Sequence, residues 1–499
     1  MYAHKTKLWG LIGLAWLFGN GSLEMGMVHA QDLIPREVFF GNPEKASPSI
    51  SPDGKTLAWR APRDGVMNVY VAPVDDLTAA RPVTNDRTTG ISQYFWAYTN
   101  RQILYLQDDN GDEDFHLYAV DLDSFQTTDL TPFEGITAQV LGISHRFPQE
   151  LLVGINDRDQ HWFHDIYRIN LLTGERRLVY ENNQFVGFII DDDYNFPLAL
   201  AFTPAGGSVV MKSDPAAEDG WSELMSIGPE DVMTTAPIGL NKSGDHLYLL
   251  DSRDRNTAAL RRLDMASGEE TTLFETSRAD ISGIMQHPIE KTIEAVSFTW
   301  DREKWVVLDD SVKADLEFLK SQHSGDLSIG SRALDDSIWT VSFSVDDGPI
   351  RYYLYKRQTR TLTFLFSHRP ELEALRLAKM HPVTIRSRDG LDLVSYLSLP
   401  PESDPDHRGR PQQALPMVLL VHGGPWARDD WGYDSLHQLL ANRGYAVLSV
   451  NYRGSTGFGK QFINAANLEW AGKMHDDLID AVAWAVKEKI ALRDKVAIM

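Results

Sequence analysis

Between about Pro43 and Pro370 the chain repeats a unit of short apolar runs separated by turn residues, with equivalent strand centres at Leu57, Leu104, Leu152, Leu200, Leu247, Ala295 and Trp339. Successive spacings are 47, 48, 48, 47, 48 and 44 residues. A unit of this kind cannot bury its apolar face alone and must stack on the next copy. A period in the forties with several strands per unit is that of a β-propeller blade. The centres predict an all-β, seven-bladed propeller over residues 43–375. The turn Ser51-Pro52-Asp53-Gly54-Lys55 leads into Thr56-Leu57-Ala58-Trp59, and Asn241-Lys242-Ser243-Gly244-Asp245 repeats the device before His246-Leu247-Tyr248-Leu249. The unit around Ile293 to Asp310 is the least regular.

After about Arg376 the rhythm changes to strands separated by helices. Val383–Arg386 and Leu393–Leu399 flank the hairpin turn Ser387-Arg388-Asp389-Gly390, and Pro400 to Gln413 is a Pro-rich loop. Met417–Val421 and Ala446–Val450 are apolar strands, Tyr433–Asn442 a helix, and Lys473–Lys489 a helix with Leu478, Ile479, Val482 and Val486 on one face. Val496-Ala497-Ile498-Met499 reads as a further buried strand. This βαβ order predicts an α/β, parallel sheet over residues 376–499. Two folded units also suit a 499-residue chain, because single cores stop growing near ~250 to 300 residues.

Composition narrows the function. The formal net charge of -22, with 70 acidic against 48 basic residues, repels a phosphate backbone, so nucleic acid is not an expected partner. His4, Lys5 and Lys7 precede the apolar run Leu8 to Phe18 and a polar stretch ending at Ala30, the layout of a signal peptide over residues 1–30 cleaved near Ala30. The run is too short to span ~30 Å of hydrocarbon, so no stable membrane anchor is expected, and the chain is expected to be exported, periplasmic or secreted. The absence of cysteine is compatible with an oxidising compartment.

Val421-His422-Gly423-Gly424-Pro425 follows the first apolar strand of the second region. In acyl-transfer hydrolases a glycine loop at this place supplies a backbone N–H to the developing oxyanion, because main chain without Cβ can approach the substrate. Asn451-Tyr452-Arg453-Gly454-Ser455-Thr456-Gly457-Phe458-Gly459 follows the next strand, then Lys473-Met474-His475-Asp476-Asp477, then Lys495 to Met499. Taken with the propeller, these segments resemble the prolyl oligopeptidase family of serine peptidases, in its acylaminoacyl peptidase and dipeptidyl peptidase branches. The resemblance implies an α/β-hydrolase domain, hydrolysis of short peptides by a Ser-Asp-His acyl-enzyme mechanism, and no cofactor or metal. It also implies Gly423 or Gly424 as upstream oxyanion donor. Some branches carry a tyrosine where His422 stands, so His422 favours the acylaminoacyl peptidase side and belongs to the oxyanion loop.

The nucleophile motif of such enzymes, Gly-x-Ser-x-Gly, occurs nowhere in the chain. The expectation is therefore an incomplete hydrolase domain, with Ser, Asp and His beyond Met499 and no activity from the chain as given. A non-catalytic peptide-binding propeller and an esterase of the same fold are the competing readings.

Three other patterns suggest sites. Gly454 to Lys460 has P-loop spacing, but Gln461 stands where Ser or Thr would hold magnesium; Arg453 beside it reads as an ion-pair residue or a substrate contact. Asp108 to Asp114 resembles a calcium loop with Glu113 where glycine is required, and reads as a blade hairpin. His161 and His164 would point to opposite faces of a strand, and Trp96, Trp162, Trp300 and Trp305 read as blade packing.

Overall fold

In the computed structural model, which describes residues 33–158 and 162–499, all seven strand centres lie on the second strand of a separate antiparallel sheet. The signal-peptide reading and His161 fall outside the described residues. Six of the sheets have four strands in chain order. The second strands are apolar on both sides because each is covered by the neighbouring blades: Leu57, Ala58 and Trp59 are consecutively buried, as are Leu151, Leu152 and Val153. The Asp108 to Asp114 segment is a hairpin between Gln102–Gln107 and His116–Asp121.

The irregular sixth unit has three strands, Ile281–Gln286, Ile293–Thr299 and Glu303–Val307. Helix Lys313–Gln322 follows it and buries Leu316 and Leu319 in one cluster with Trp339 and Tyr355. That helix supplies the apolar cover that a fourth strand gives elsewhere. Among the described residues no strand is shared between the first and seventh blades. Ile50 N–H donates to Ser331 Oγ at 2.7 Å, Leu334 N–H donates to the Pro52 carbonyl at 2.7 Å, and Ile50, Leu57 and Trp59 pack with Leu354 and Phe366.

The C-terminal sheet has five strands, in the spatial order Met380–Arg386, Asp392–Ser398, Ala446–Val450, Leu415–Leu420 and Ala491–Ile498. It is mixed, which corrects the expectation of a parallel sheet: Asp392–Ser398 runs antiparallel to both its neighbours, and only the last three strands are parallel. The tight turn at Ser387 to Gly390 forces the first reversal, whereas apolar patterning reports burial and not direction. Tyr396, Leu419 and Leu448 form its core with Ala481 and Ala485 of helix Lys473–Lys487.

The expectation of a buried strand at Val496 to Met499 also needs correction. Among the described residues Ala491–Ile498 is the outermost strand, with Ile498 68% and Met499 59% exposed, because it pairs only with Leu415–Leu420. A further contact escaped the sequence reading. Helix Arg36–Phe40 packs Phe39 against Leu372, Leu377 and Leu439, and Ile34 N–H donates to Asn442 Oδ1 at 2.9 Å. Residues Ile34–Met499 thereby form one unit.

His437 of helix Ser435–Asn442 is buried against the sheet between Ser398 Oγ, 3.0 Å from Nδ1, and Ser449 Oγ, 2.8 Å from Nε2. Burial pushes its imidazole down to about 4. The unfolded chain takes up this proton near pH 6.5 and the folded chain does not, so stability from His437 is complete above pH 6.5 and is lost as pH falls toward 4. Relative to His437→Gln, the wild-type chain is expected to lose about 1.4 kcal/mol per pH unit across that window, read by urea unfolding at stepped pH.

Candidate active site

Strand Leu415–Leu420 lies between two parallel neighbours, and its C-terminal end opens into the loop His422 to Pro425. Among the described residues neither the Gly423 nor the Gly424 N–H donates to a protein acceptor, and both glycines are exposed. Gly424 has φ +136°, a conformation L side chains avoid, and an added Cβ would lie 2.6 Å from Trp426 N. An added Cβ at Gly423 meets nothing within 4 Å. The backbone geometry of the loop therefore depends on Gly424, while Gly423 leaves room in front of it.

His422 anchors the loop from behind. Its ring stacks on Tyr452 with centroids 4.6 Å apart, and Tyr452 Oη donates to the His422 carbonyl at 3.0 Å. Nδ1 is 2.8 Å from the Gly423 carbonyl and Nε2 is 2.9 Å from Ser455 Oγ. Burial holds the imidazole below its ordinary value, with the Arg428 charge acting the same way. Nδ1–H is directed at the Gly423 carbonyl, while the Ser455 hydroxyl facing Nε2 donates to the Tyr452 carbonyl at 2.6 Å. Both ring nitrogens thus lie against protein oxygens, one in the loop and one in the segment after strand Ala446–Val450.

A cavity of about 280 Å³ lies in front, lined by His422, Gly423, Gly424, Tyr452, Trp470 and His475 among others. Val421 N–H donates to the Met499 carbonyl at 3.0 Å, so the end of the outermost strand lies beside this loop. Trp470 is 73% exposed at the cavity edge. Asp429, farther along the loop, has its backbone held by Asn451 through 2.8 Å and 3.0 Å bonds, and burial with the charges of Asp434 and Asp430 pushes its carboxyl up to about 7.

The sequence candidates away from the loop are placed as follows. Arg453 is 3% exposed, and its guanidinium donates to Asp477 at 2.7 and 2.8 Å and to Asp389 at 2.8 and 2.9 Å. It ties the helix Lys473–Lys487 to the hairpin turn, and those carboxylates raise its already high pKa further. Trp96 is buried and Trp305 donates to the Leu327 carbonyl within the propeller, but Trp162 is 88% exposed and Trp300 packs edge-on against Phe458 of the C-terminal region. His164 is half-buried in the third blade. His287, Glu294 and Asp336 gather ligand atoms, and both carboxylates are ion-paired with Arg332, at 2.7 and 2.5 Å.

The profile of the prolyl oligopeptidase family matches residues 431–499. A dipeptidyl aminopeptidase BIII of Pseudoxanthomonas mexicana is 52% identical over 469 residues, covering 94% of this chain and 68% of that protein. Dipeptidyl peptidase family member 6 of Caenorhabditis elegans is 35% identical over 507 residues, covering 95% and 68%. Among solved structures, a prolyl endopeptidase studied for its inter-domain dynamics superposes with a TM-score of 0.70 at 14% identity, covering 94% of this chain and 71% of that one. A puromycin-hydrolyzing peptidase of Mycobacterium tuberculosis gives 0.67 at 16% identity, covering 93% and 74%.

The glycine geometry predicts a contrast. Gly424→Ala is expected to lower stability by about 1–3 kcal/mol through backbone strain, whereas Gly423→Ala stays within about 0.5 kcal/mol, both read by chemical denaturation. With this loop, the seven blades and relatives matched along nearly its whole length, the chain belongs to the prolyl oligopeptidase family.

Proposed function

We propose that this chain forms the propeller, over residues 43–375, and the oxyanion-binding part, over residues 376–499, of an exported serine peptidase that removes dipeptides from short peptides. The observation that carries the reading is the pair of undonated N–H groups at Gly423 and Gly424, next to the strand end at Met499. In α/β-hydrolases the nucleophile elbow follows a strand end in this position, and its serine meets a carbonyl whose oxygen points at the oxyanion donors. The chain covers 68% of each of these relatives, so about a third of each lies outside the match, and their names supply the dipeptidyl specificity.

In this reading the Ser, Asp and His lie in polypeptide beyond Met499. The His takes the serine proton as Oγ attacks the peptide carbonyl, the Asp orients the ring, and the N–H of Gly423 or Gly424 stabilises the negative oxygen. The propeller limits entry to short peptides, and no cofactor or metal takes part. Arg453 maintains the sheet, with any effect on peptide passing through the fold.

Two outcomes are expected. A protein extending past residue 499 through the family's Gly-x-Ser-x-Gly motif should hydrolyse a dipeptidyl chromogenic amide and be blocked by a serine-directed phosphonate, while residues 1–499 alone do neither. Hydrolysis by residues 1–499, or hydrolysis of simple esters only by the longer protein, would contradict the reading. In a bacterial host the full-length chain is expected outside the cytoplasm with its first residue near 31, read by N-terminal sequencing of the exported fraction; retention inside with Met1 intact would refute export.

A further inference from the structure

The segment Gly454-Ser455-Thr456-Gly457-Phe458-Gly459-Lys460 has phosphate-loop spacing, but each glycine faces protein. A Cβ on Gly454 would lie 2.9 Å from Ala466 Cβ and 3.2 Å from Pro425 Cβ of the oxyanion loop. On Gly457 it would collide with Arg428 Nη1, and on Gly459 it would lie 2.7 Å from Asn256 Nδ2 of the fifth blade. All three glycines have positive φ. The spacing therefore serves a three-way close approach between this segment, the oxyanion loop and the propeller.

The propeller grips the segment on its far side. Asp280 N–H donates to the Gly457 carbonyl at 3.0 Å, and Gly459 N–H donates to Asp280 Oδ2 at 3.1 Å. Lys460 N–H donates to the Asn256 carbonyl at 2.8 Å, and its ammonium meets Asp231 at 2.6 Å. On its near side the segment touches the oxyanion loop: Thr456 N–H donates to the Ala427 carbonyl at 2.9 Å, and Ser455 faces His422.

Arg428, four residues past Gly424, closes the circuit. Its guanidinium donates to the Thr299 carbonyl at 3.1 Å and the Trp300 carbonyl at 3.3 Å, both at the turn after the second strand of the sixth blade. It also lies 4.5 Å over the Phe458 ring, against which Trp300 packs edge-on at 5.4 Å. The same blade turn accepts Tyr396 Oη at the Asp301 carbonyl, 3.1 Å, and places Arg302 3.3 Å over Trp431. Both flanks of the stretch from Ala427 to Trp431 are thus held by residues of the propeller.

We propose that Arg428 is a positioning residue, through which the sixth blade sets the conformation of the Gly423–Gly424 oxyanion loop. The propeller then does more than limit access: contacts from its fifth and sixth blades hold the chain that leads out of the N–H donors. The proposal rests on the peptidase reading for its kinetic consequence but not for its structural one. Two carbonyls accept from one planar guanidinium here, a geometry an ammonium cannot reproduce. Donors displaced by about 1 Å lower turnover by about 100-fold.

The test uses Arg428→Ala, Arg428→Lys, Trp300→Ala and the Arg428→Ala/Trp300→Ala pair in the longer, active protein. The expected result is a fall in kcat of about 10- to 100-fold with KM changed less than about 3-fold, a smaller fall for Arg428→Lys, and a double variant no worse than the poorer single one. Amide hydrogen exchange over residues 422–431 should rise in each single alanine variant, with exchange in the second strands of the blades unchanged. Unchanged kcat, additive losses, or exchange that rises only around 299–302 would overturn the proposal. If Arg428→Ala loosens the whole fold, Arg428→Lys decides: no kcat change and no added exchange over 422–431 in that variant would also overturn it. A longer protein that hydrolyses no peptide even as wild type would defeat the peptidase reading alone, because the exchange measurement needs no activity.

Discussion

Close approach of main chain at Gly454, Gly457 and Gly459 is the constraint on which the arrangement of this molecule depends. These residues lie where the C-terminal sheet meets the fifth and sixth blades, and at each one a single methyl group would displace a partner from the loop, the propeller or both. Hydrogen bonds exchanged with Asp280, accepted by Asn256 and donated by Arg428 then fix the contact in register. Such contacts are short-range and directional, so they specify one relative placement where apolar packing alone would tolerate several.

The seam also explains why the candidate site lies where it does. The Gly423–Gly424 loop leaves the sheet at Val421, meets the propeller through Arg428 on the Thr299 carbonyl and Trp431 under Arg302, and then enters helix Ser435–Asn442. Its inner side is held by His422 on Tyr452 and by Asp429 on Asn451, both residues following strand Ala446–Val450. The sheet thus fixes one end of the loop and the propeller the other. The cavity in front of the loop is lined by residues of the C-terminal region, between Val421 and Leu478.

Much of this was legible in the sequence, for reasons that differ by element. The blade count follows from the period, because each second strand is covered on both sides and so carries the strongest apolar signal; Leu57 through Trp339 all fall there. The sixth unit reads as the least regular, but its missing fourth strand was not legible, since helix Lys313–Gln322 substitutes burial for hydrogen bonding and the spacing to the next centre shortens only from 48 to 44 residues. In the C-terminal sheet the hairpin at Ser387 to Gly390 and the three parallel strands were legible, whereas the antiparallel pairing of Asp392–Ser398 with Ala446–Val450 was not, because apolarity says nothing of direction. The glycine loop at Gly423 and Gly424 was found by its setting, a strand followed by small residues. The seam was hidden: its partners are separated by 205 residues between Asn256 and Gln461 and by 229 between Asp231 and Lys460, and its glycines imitate a phosphate loop. Arg428 carried no signal of its own, an arginine in a polar loop.

If the seam joins propeller and sheet into one structural unit, the two should unfold together. Scanning calorimetry of the purified chain is expected to show one transition with matching calorimetric and van't Hoff enthalpies, and Gly459→Val, which places bulk against Asn256, to split it into two. A Gly459→Val chain that melts in a single, unshifted transition would contradict the account.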